Sequence, residues 1–178
     1  IDDSAIKNTG FGPLILMENA GIRILAEAIA SASSNAEAPF DNKSVVCVAG
    51  AGNNGGDALV IARQIHSRCP NPVSVIIIKD KGSEAFDFNL NLCRNLGLNI
   101  INVSDLKQQE HARDSILSAG VIFDGIAGTG IKGALRGSAA ELCSIINESN
   151  ALALAIDVPS GIGDAFIKDY PAVDADYT

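Results

Sequence analysis

Aromatic and basic side chains are both scarce in this sequence, and together these shortages exclude one class of partner. The chain has no tryptophan, only 4% aromatic residues, and 13 basic against 21 acidic side chains, which gives a formal charge of −8. Proteins that bind nucleic acid hold its phosphates with clustered Lys and Arg, and single-strand binders add aromatic stacking surfaces. The sequence therefore predicts no nucleic acid partner.

Membrane-spanning runs and metal-ligand patterns are missing as well. No uninterrupted apolar stretch approaches the roughly 20 residues of a membrane span, which predicts no membrane partner. The four cysteines are far apart, without a CxxC pair, and none stands near His66 or His111 in a zinc-ligand pattern. Scattered cysteines favour reduced thiols and a cytoplasmic protein. Because the sequence begins at Ile1 rather than Met, it leaves open whether an organelle-targeting segment has been removed.

What the sequence does contain is a regular alternation of two kinds of segment. Short apolar, β-branched segments predict strands, and amphipathic segments between them predict helices. The predicted strands are Val45–Ala49, Val73–Ile78, Leu98–Val103, Val121–Phe123 and Ala151–Ile156. The predicted helices are Pro13–Ala32, Asp57–Arg68, Glu84–Leu96, Leu106–Ser118 and about Ala134–Asn147. This alternation predicts a three-layer α/β fold with a mostly parallel sheet, in a single domain of residues 1–178.

The glycine-rich segment AGAGNNGGDALVI, residues 49–61, follows the first predicted strand. Gly50, Gly52 and Gly55 have the spacing of a dinucleotide-binding turn, and a helix opening at Asp57 would offer free N–H groups to an anion. Asp57, however, would put negative charge where a pyrophosphate belongs. The structural alternative is that Asp57 caps the helix and the two asparagines accept left-handed turn geometry. The segment alone leaves both interpretations open.

Two further loops follow the fourth and fifth predicted strands. Asp124 ends a strand in FDGIAGTGIKG, residues 123–133, and Asp157 leaves a strand in AIDVPSGIGD, residues 155–164. Since carboxyl ends of parallel strands share one edge of the sheet, where open α/β sheets bind ligands, we expect the three loops to converge on one cleft. Each aspartate could equally bond to its own turn, and for Asp157 the expected partners are then Ser160 or Gly161.

The aspartate of the last loop is the sharpest candidate for chemistry. Asp157 passes from an apolar strand directly into a Pro-Ser-Gly turn, so we expect a rigid carboxylate in a partly desolvated place. Such burial favours the protonated form and suits general acid/base duty near neutral pH. Oxygen atoms of Asn54, Asp124 and Ser160 could together hold a cation. One carboxylate is too little for a tight Mg²⁺ or Ca²⁺ site, so the set suits a weakly held monovalent ion better.

Four segments, taken together and in order, resemble one known family. LMENAG (16–21), AGAGNNGGDALVIAR (49–63), FDGIAGTGIKGALRG (123–137) and AIDVPSG (155–161) closely resemble the NAD(P)HX epimerase family, also called the YjeF N-terminal domain. The similarity runs over essentially the whole chain. It implies a Rossmann-like fold and an isomerase that interconverts the R and S forms of hydrated NADH or NADPH at C6 of the nicotinamide ring. NAD(P)HX is then the substrate rather than a cofactor.

The resemblance also implies site residues and partners. Asp157 is expected to be catalytic, beside the reacting ring, and a potassium ion is expected on Asn54, Asp124 and Ser160. The expected substrate contacts are those of Asp157 together with Asn53, Asn54, Gly55, Gly56, Asp57, Gly128, Thr129, Gly130, Ile131, Lys132, Gly133 and Ala134. Expected partners are a second copy, through the apolar face of the first helix, and a fused or separate NAD(P)HX dehydratase.

The chain departs from the family pattern at three places. Ala51 and Ala58 replace the usual Pro and Gly around NNGGD, and Lys132-Gly133-Ala134 stands where Arg-Pro is more frequent. The sequence stops at Thr178, where the family normally continues, so a last segment is expected to be missing.

Two rival interpretations remain. One is a non-catalytic dimerisation scaffold of the same fold, as in an mRNA-decapping factor. The other is an NAD-dependent dehydrogenase, which would need a His or Tyr as proton donor. Against that rival, both histidines fall within predicted helices, and neither Tyr170 nor Tyr177 lies in a motif loop.

Overall fold

The helices and strands alternate along nearly the whole chain. The computed structural model describes residues 12–34, 40, 43–163 and 168–178. Its strands are β1 (Val45–Ala49), β2 (Val73–Ile77), β3 (Asn99–Asn102), β4 (Val121–Gly125) and β5 (Leu152–Ala155). Its helices are α1 (Pro13–Ser34), α2 (Asn53–Arg68), α3 (Glu84–Asn95), α4 (Leu106–Leu117) and α5 (Ser138–Glu148). All ten predicted elements are confirmed within a few residues at each end.

The five strands form one all-parallel sheet in the order β3-β2-β1-β4-β5. Strand β1 lies at the centre, and its side chains alternate between two cores. Cys47 packs with Leu59 of α2 and Phe86 of α3, while Val48 packs with Ile116 of α4 and Leu142 of α5 on the opposite face. The predicted three-layer, Rossmann-like fold with helices on both faces of a parallel sheet is confirmed.

Two helices begin at other residues than predicted, and both differences have a backbone cause. Helix α2 starts at Asn53 after an extended Gly52, so Asp57 lies in its second turn and does not cap it. Glycine is a poor helix former, which is why the helix was predicted to begin only after Gly55 and Gly56. Helix α5 starts at Ser138 rather than near Ala134, because Gly133 and Gly137 have φ values of 84° and 55°, which an α-helix does not contain.

Helix α1 is fixed to the rest of the domain through its LMENAG segment. Glu18 accepts hydrogen bonds of 2.5 Å from both Arg63 and Gln64 of α2. Met17 is fully buried and lies so close to Gly56 that a Cβ there would stand 2.5 Å from its sulfur. Glu18 and Met17 therefore hold α1 against α2.

The four cysteines agree with the expectation of reduced thiols. All four cysteines are free, and Cys47, Cys93 and Cys143 are buried. Burial raises the pKa of the Cys93 thiol to about 12 and that of Cys143 to about 11, so neither is a nucleophile at neutral pH. In the described ranges, none of the helices has both the length and the apolar character that crossing a membrane requires.

Candidate functional site

The three polar loops meet at the carboxyl edge of the sheet, as the sequence predicts. The Gly50 N–H donates to the Gly125 carbonyl at 2.9 Å, which joins the loops after β1 and β4. The Asn54 side-chain Nδ2 donates to the Ile156 carbonyl at 2.9 Å and so reaches the loop after β5. A Cβ on Gly128 would stand 2.5 Å from the Asn54 amide, so any other residue there would displace this side chain. The glycines serve here for close approach between loops.

A buried group of oxygen atoms lies beneath this junction. Asp124 and Ser160 are both fully buried. The Ser160 hydroxyl donates to Oδ1 of Asp124 at 2.6 Å, and the Ser160 N–H donates to Oδ2 at 2.8 Å. The Ala127 N–H donates to the Ser160 hydroxyl at 2.8 Å, and the Ile126 N–H donates to Oδ1 of Asp124 at 3.2 Å. These bonds fix the loops after β4 and β5 to each other.

The electrostatics of Asp124 explain why these oxygens suit a cation. Burial raises the pKa of Asp124, and its hydrogen bonds with Ser160 and Ile126 act in the opposite direction. Within the described ranges no Lys or Arg pairs with this carboxylate. The described part also has no cluster of three or more His, Cys, Asp or Glu, so a metal there would depend on amide, hydroxyl and carbonyl oxygens. One buried carboxylate with neutral oxygens around it fits a monovalent cation.

A cleft of about 490 Å³ opens beside the junction, between α1 and the ends of β4 and β5. Its apolar wall includes Phe123, Leu154 and Ile156. Two carboxylates, those of Asp57 and Asp157, line the same cleft. An apolar pocket with a few convergent polar groups is the usual form of a small-molecule site.

Asp57 is the buried member of this pair. Its side chain is 9% exposed, and its Oδ1 atom has no hydrogen-bond partner in the part of the chain that the structure describes. Burial, with a contribution from the negative charge of Asp157, raises the pKa of Asp57 to about 7. Desolvation disfavours the ionised form, so the carboxyl holds its proton well above the pH at which an exposed aspartate loses it.

Asp157 is the exposed member, and here the sequence expectation of a desolvated carboxylate is wrong. The residue has φ of 73°, the only positive φ of a non-glycine residue within the described ranges, and this backbone conformation turns it out of the sheet edge. Its Oδ2 accepts a bond of 3.4 Å from the Thr129 N–H. In the structural alternative Asp157 would bond to Ser160 or Gly161, but Ser160 bonds instead to Asp124.

The remaining predicted contact residues divide by exposure. The residues exposed at the sheet edge are Asn53, Thr129, Gly130 and Lys132. Gly55 is buried, and a Cβ added to it would stand 1.7 Å from the Gly50 carbonyl oxygen. Four more of the predicted contacts, partly buried, are Gly128, Ile131, Gly133 and Ala134. The first N–H groups of α2 have no partner inside the helix, because a helix leaves its opening donors unsatisfied. These donors make the start of α2 suitable for an anion.

Other residues of the cleft were not predicted from the sequence. Arg23 and Glu27 reach it from α1, and Tyr177 reaches it from the C-terminal segment, where it pairs in parallel with Leu154 of β5. Arg23 and Glu27 are four residues apart, and this spacing was the available signal that they share one face of a helix. The sequence did not indicate that this face of α1 lies toward the sheet edge.

The parallel sheet in this order, with polar loops at the carboxyl ends of its central strands, defines a Rossmann-like α/β protein with its site at that edge. The chain belongs to the family described as YjeF-related protein N-terminus, whose model matches residues 13–178.

Three known proteins illustrate the similarity. The chain is 33% identical over 187 residues to an NAD(P)H-hydrate epimerase of Elusimicrobium minutum, an alignment that covers 100% of this chain and 79% of that protein. It is 32% identical over 152 residues to a bifunctional NAD(P)H-hydrate repair enzyme Nnr of Moorella thermoacetica, covering 84% of this chain and 28% of that one. The crystal structure of yeast ynu0 has the same fold, with a TM-score of 0.78 and 21% identity over 98% of this chain and 73% of the yeast chain.

The chain thus spans less than a third of the Moorella protein and about four fifths of the Elusimicrobium protein.

Proposed function

We propose that this chain is an NAD(P)H-hydrate epimerase, an isomerase that interconverts the R and S forms of hydrated NADH or NADPH at C6 of the nicotinamide ring. The observation that carries the proposal is the position of Asp157. Its carboxylate is exposed at the mouth of the apolar cleft and is held by a positive φ beside the Thr129 N–H. Membership of the family and relatives named as epimerases support the same reaction.

The reaction needs a proton carrier at the C6 hydroxyl. Epimerisation requires that either the C6–O or the C6–N1 bond of the substrate breaks and forms again on the other face of the ring. Asp157 takes or returns the proton of the hydroxyl or of water, as a general base and acid. The path through a ring-opened aldehyde and the path through an iminium ion both need this transfer.

Binding of the dinucleotide is the task of the loops at the sheet edge. The opening N–H groups of α2, from Asn53 to Gly55, face the negative charge of the diphosphate. Asn53 and the loop of residues 128–134 position the ring and the ribose, and Lys132 supplies a positive charge at this edge. Correct placement of the reacting ring contributes to rate because small displacements are costly in catalysis.

We further propose a potassium ion on Asn54, Asp124 and Ser160. The buried Asp124 carboxylate without a Lys or Arg partner among the described residues supports this assignment. A bound potassium ion would balance the negative charge of the Asp124 carboxylate and hold the loops after β1, β4 and β5 at a fixed distance from one another. Asn54 keeps its amide oxygen available for this role, since its nitrogen donates to Ile156.

A homodimer and a dehydratase partner are the remaining parts of the proposal. Ile15 of α1 is 51% exposed, and we assign the apolar side of this helix to the contact between two copies. A dehydratase, fused or separate, would consume one epimer of the same substrate. The described chain acts as one domain in both cases.

The test is epimerisation itself. One purified epimer of NADHX is mixed with the protein in potassium buffer, and the R/S ratio is followed by chromatography beside the variants Asp157→Asn and Asp114→Asn. Wild type and Asp114→Asn, whose exposed carboxylate lies on α4 across the sheet, are expected to equilibrate the epimers faster than buffer alone. Asp157→Asn should lose about 10²- to 10⁴-fold of the rate.

Two outcomes would contradict the proposal in different ways. Folded wild-type protein that fails to accelerate epimerisation would favour a non-catalytic dimerisation scaffold, which sedimentation would then support or exclude. Reduction of NAD on mixing with candidate alcohols would favour a dehydrogenase.

A further inference from the structure

The buried carboxyl of Asp57 has an environment that stabilises a proton rather than a charge. Its side chain is nine-tenths buried, and Oδ1 lacks a hydrogen-bond partner within the described ranges. A carboxylate without partners is costly in an apolar place, whereas the protonated group is tolerated. At Asp57 the protonated carboxyl is therefore favoured over the carboxylate.

The same cleft places this proton opposite an exposed carboxylate. Asp157 lines the cleft together with Asp57, and its negative charge is close enough to contribute to the raised pKa of Asp57. Two carboxyl groups with different environments at one pocket are a recurrent arrangement for an acid and a base working as a pair. In this cleft Asp57 is the buried member and Asp157 the exposed one.

Other charged or titratable groups face Asp57 from two elements. Arg23 and Glu27 of α1 line the cleft, and so does Tyr177 of the C-terminal segment. The ion pairs of the described residues join Arg63 to Glu18, Arg94 to Asp80 and Arg113 to Glu148, so Asp57 takes part in none. Burial raises the pKa of Asp57, and this larger effect outweighs the positive charge of the N-terminus, which acts to lower it.

We propose that Asp57 is the general acid that works with Asp157 as general base in the epimerisation, an inference that rests on the proposed function. In the ring-opening path Asp157 takes the proton of the C6 hydroxyl, and the C=O bond forms as the C6–N1 bond breaks. Its electron pair goes to N1, which takes the proton of Asp57. After rotation about the C5–C6 bond, both transfers reverse and the ring closes on the other face.

The iminium path uses the same two groups. Asp57 gives its proton to the C6 hydroxyl, which leaves as water, and the N1 lone pair forms the N1=C6 bond. Water adds to the opposite face and loses a proton to Asp157. Proton exchange with solvent restores both carboxyl groups, so no oxidant or reductant is needed.

The test combines a pH profile with a matched pair of variants. The kcat/KM of wild-type protein is measured from about pH 5 to about pH 9, corrected for the buffer reaction, beside Asp57→Asn and Asp114→Asn. We expect wild type and Asp114→Asn to lose about tenfold per pH unit above about pH 7, because Asp57 then gives up its proton. Asp57→Asn should be about 10²- to 10⁴-fold slower, and its remaining rate should lack this decline.

Two results would overturn this inference and leave the proposed function intact. In the first, wild type is active but the kcat/KM of Asp57→Asn stays within about threefold of it; in the second, wild type is active with a profile that is flat to about pH 9. Wild type without activity would overturn the proposed function as well. Circular dichroism verifies that the variant is folded. If it is not, ¹³C NMR titration of the aspartate carboxyls in substrate-free wild type decides: a resonance of Asp57 that titrates near pH 7 supports the acid role, and titration below about pH 5 excludes it.

Discussion

Asp57 and Asp157 line one cleft but differ in exposure, since the first is buried in the second turn of α2 and the second is turned into solvent by a positive φ. The difference comes from the backbone that holds each residue. Helix α2 packs against the sheet and carries Asp57 into the apolar wall, while the loop after β5 lifts Asp157 away from it. Two identical side chains thereby acquire different affinities for a proton.

The raised pKa of Asp57 makes the stability of the protein depend on pH. The folded protein binds this proton up to about pH 7, whereas the unfolded chain releases it near 3.8. Between these values the unfolded state holds fewer protons, so Asp57 lowers the free energy of unfolding as pH rises, by on the order of a few kcal/mol. Asp57→Asn removes this dependence, and the stability difference between variant and wild type should grow from about pH 4 to about pH 7 and then level off.

Urea denaturation at several pH values measures this difference, with Asp114→Asn as the control. Asp114 is the control because it lies exposed on α4, across the sheet from Asp57. A constant difference for Asp57→Asn would mean that the folded and unfolded chains release this proton at the same pH, so that the pKa is not raised by folding.

The second prediction concerns the close contact between Gly55 and Gly50. A Cβ at Gly55 would stand 1.7 Å from the Gly50 carbonyl oxygen, a backbone atom that cannot move without shifting β1 or α2. Gly55→Ala should therefore lower the free energy of unfolding by about 1–3 kcal/mol. Gly130→Ala is the matched control, because no atom lies within 4 Å of its added Cβ, and it should stay within about 0.5 kcal/mol of wild type. Equal stability of the two variants would contradict the close contact.

The third prediction concerns the hydroxyl of Ser160. Ser160→Ala leaves Oδ1 of the buried Asp124 with one donor fewer and leaves the Ala127 N–H without its acceptor. Unsatisfied buried groups of this kind cost about 1–3 kcal/mol. Chemical denaturation should show this loss, whereas Ser67→Ala at an exposed position of α2 should stay within about 0.5 kcal/mol of wild type.

The fourth prediction concerns the proposed potassium ion. A ligand that binds only the folded state stabilises it by about 1.4 kcal/mol at about ten times its Kd. Thermal unfolding in potassium chloride should therefore have a higher Tm, by about 3–6 °C, than unfolding in tetramethylammonium chloride of the same ionic strength. Asp124→Asn should show no such difference, while Asp114→Asn should retain it. Identical Tm values of the wild type in both salts would contradict the proposal that potassium binds at this site.

Part of this structure could be predicted from local sequence. Strand and helix segments differ in length and hydrophobic pattern, so β1 was predicted with the bounds it has, Val45–Ala49. The three polar loops could be assigned to one edge, because parallel strands bring their carboxyl ends together whatever the side chains are. Asn54, Asp124 and Ser160 could be grouped only as members of converging loops, and the family resemblance implied the potassium ion. The bonds between Asp124 and Ser160 have no local signal, since the two residues are distant along the chain.

The sequence by itself determined the alternation of strands and helices, the sheet edge that carries the site and the residue types present there. Only the tertiary structure decided which carboxyl is buried, because burial depends on what packs against a residue. Asp157 follows an apolar strand yet is exposed, and Asp57 follows glycines and asparagines yet is buried, since α1 and the sheet cover it. The affinity of each group for a proton follows from that packing, which neighbouring residues in the sequence do not specify.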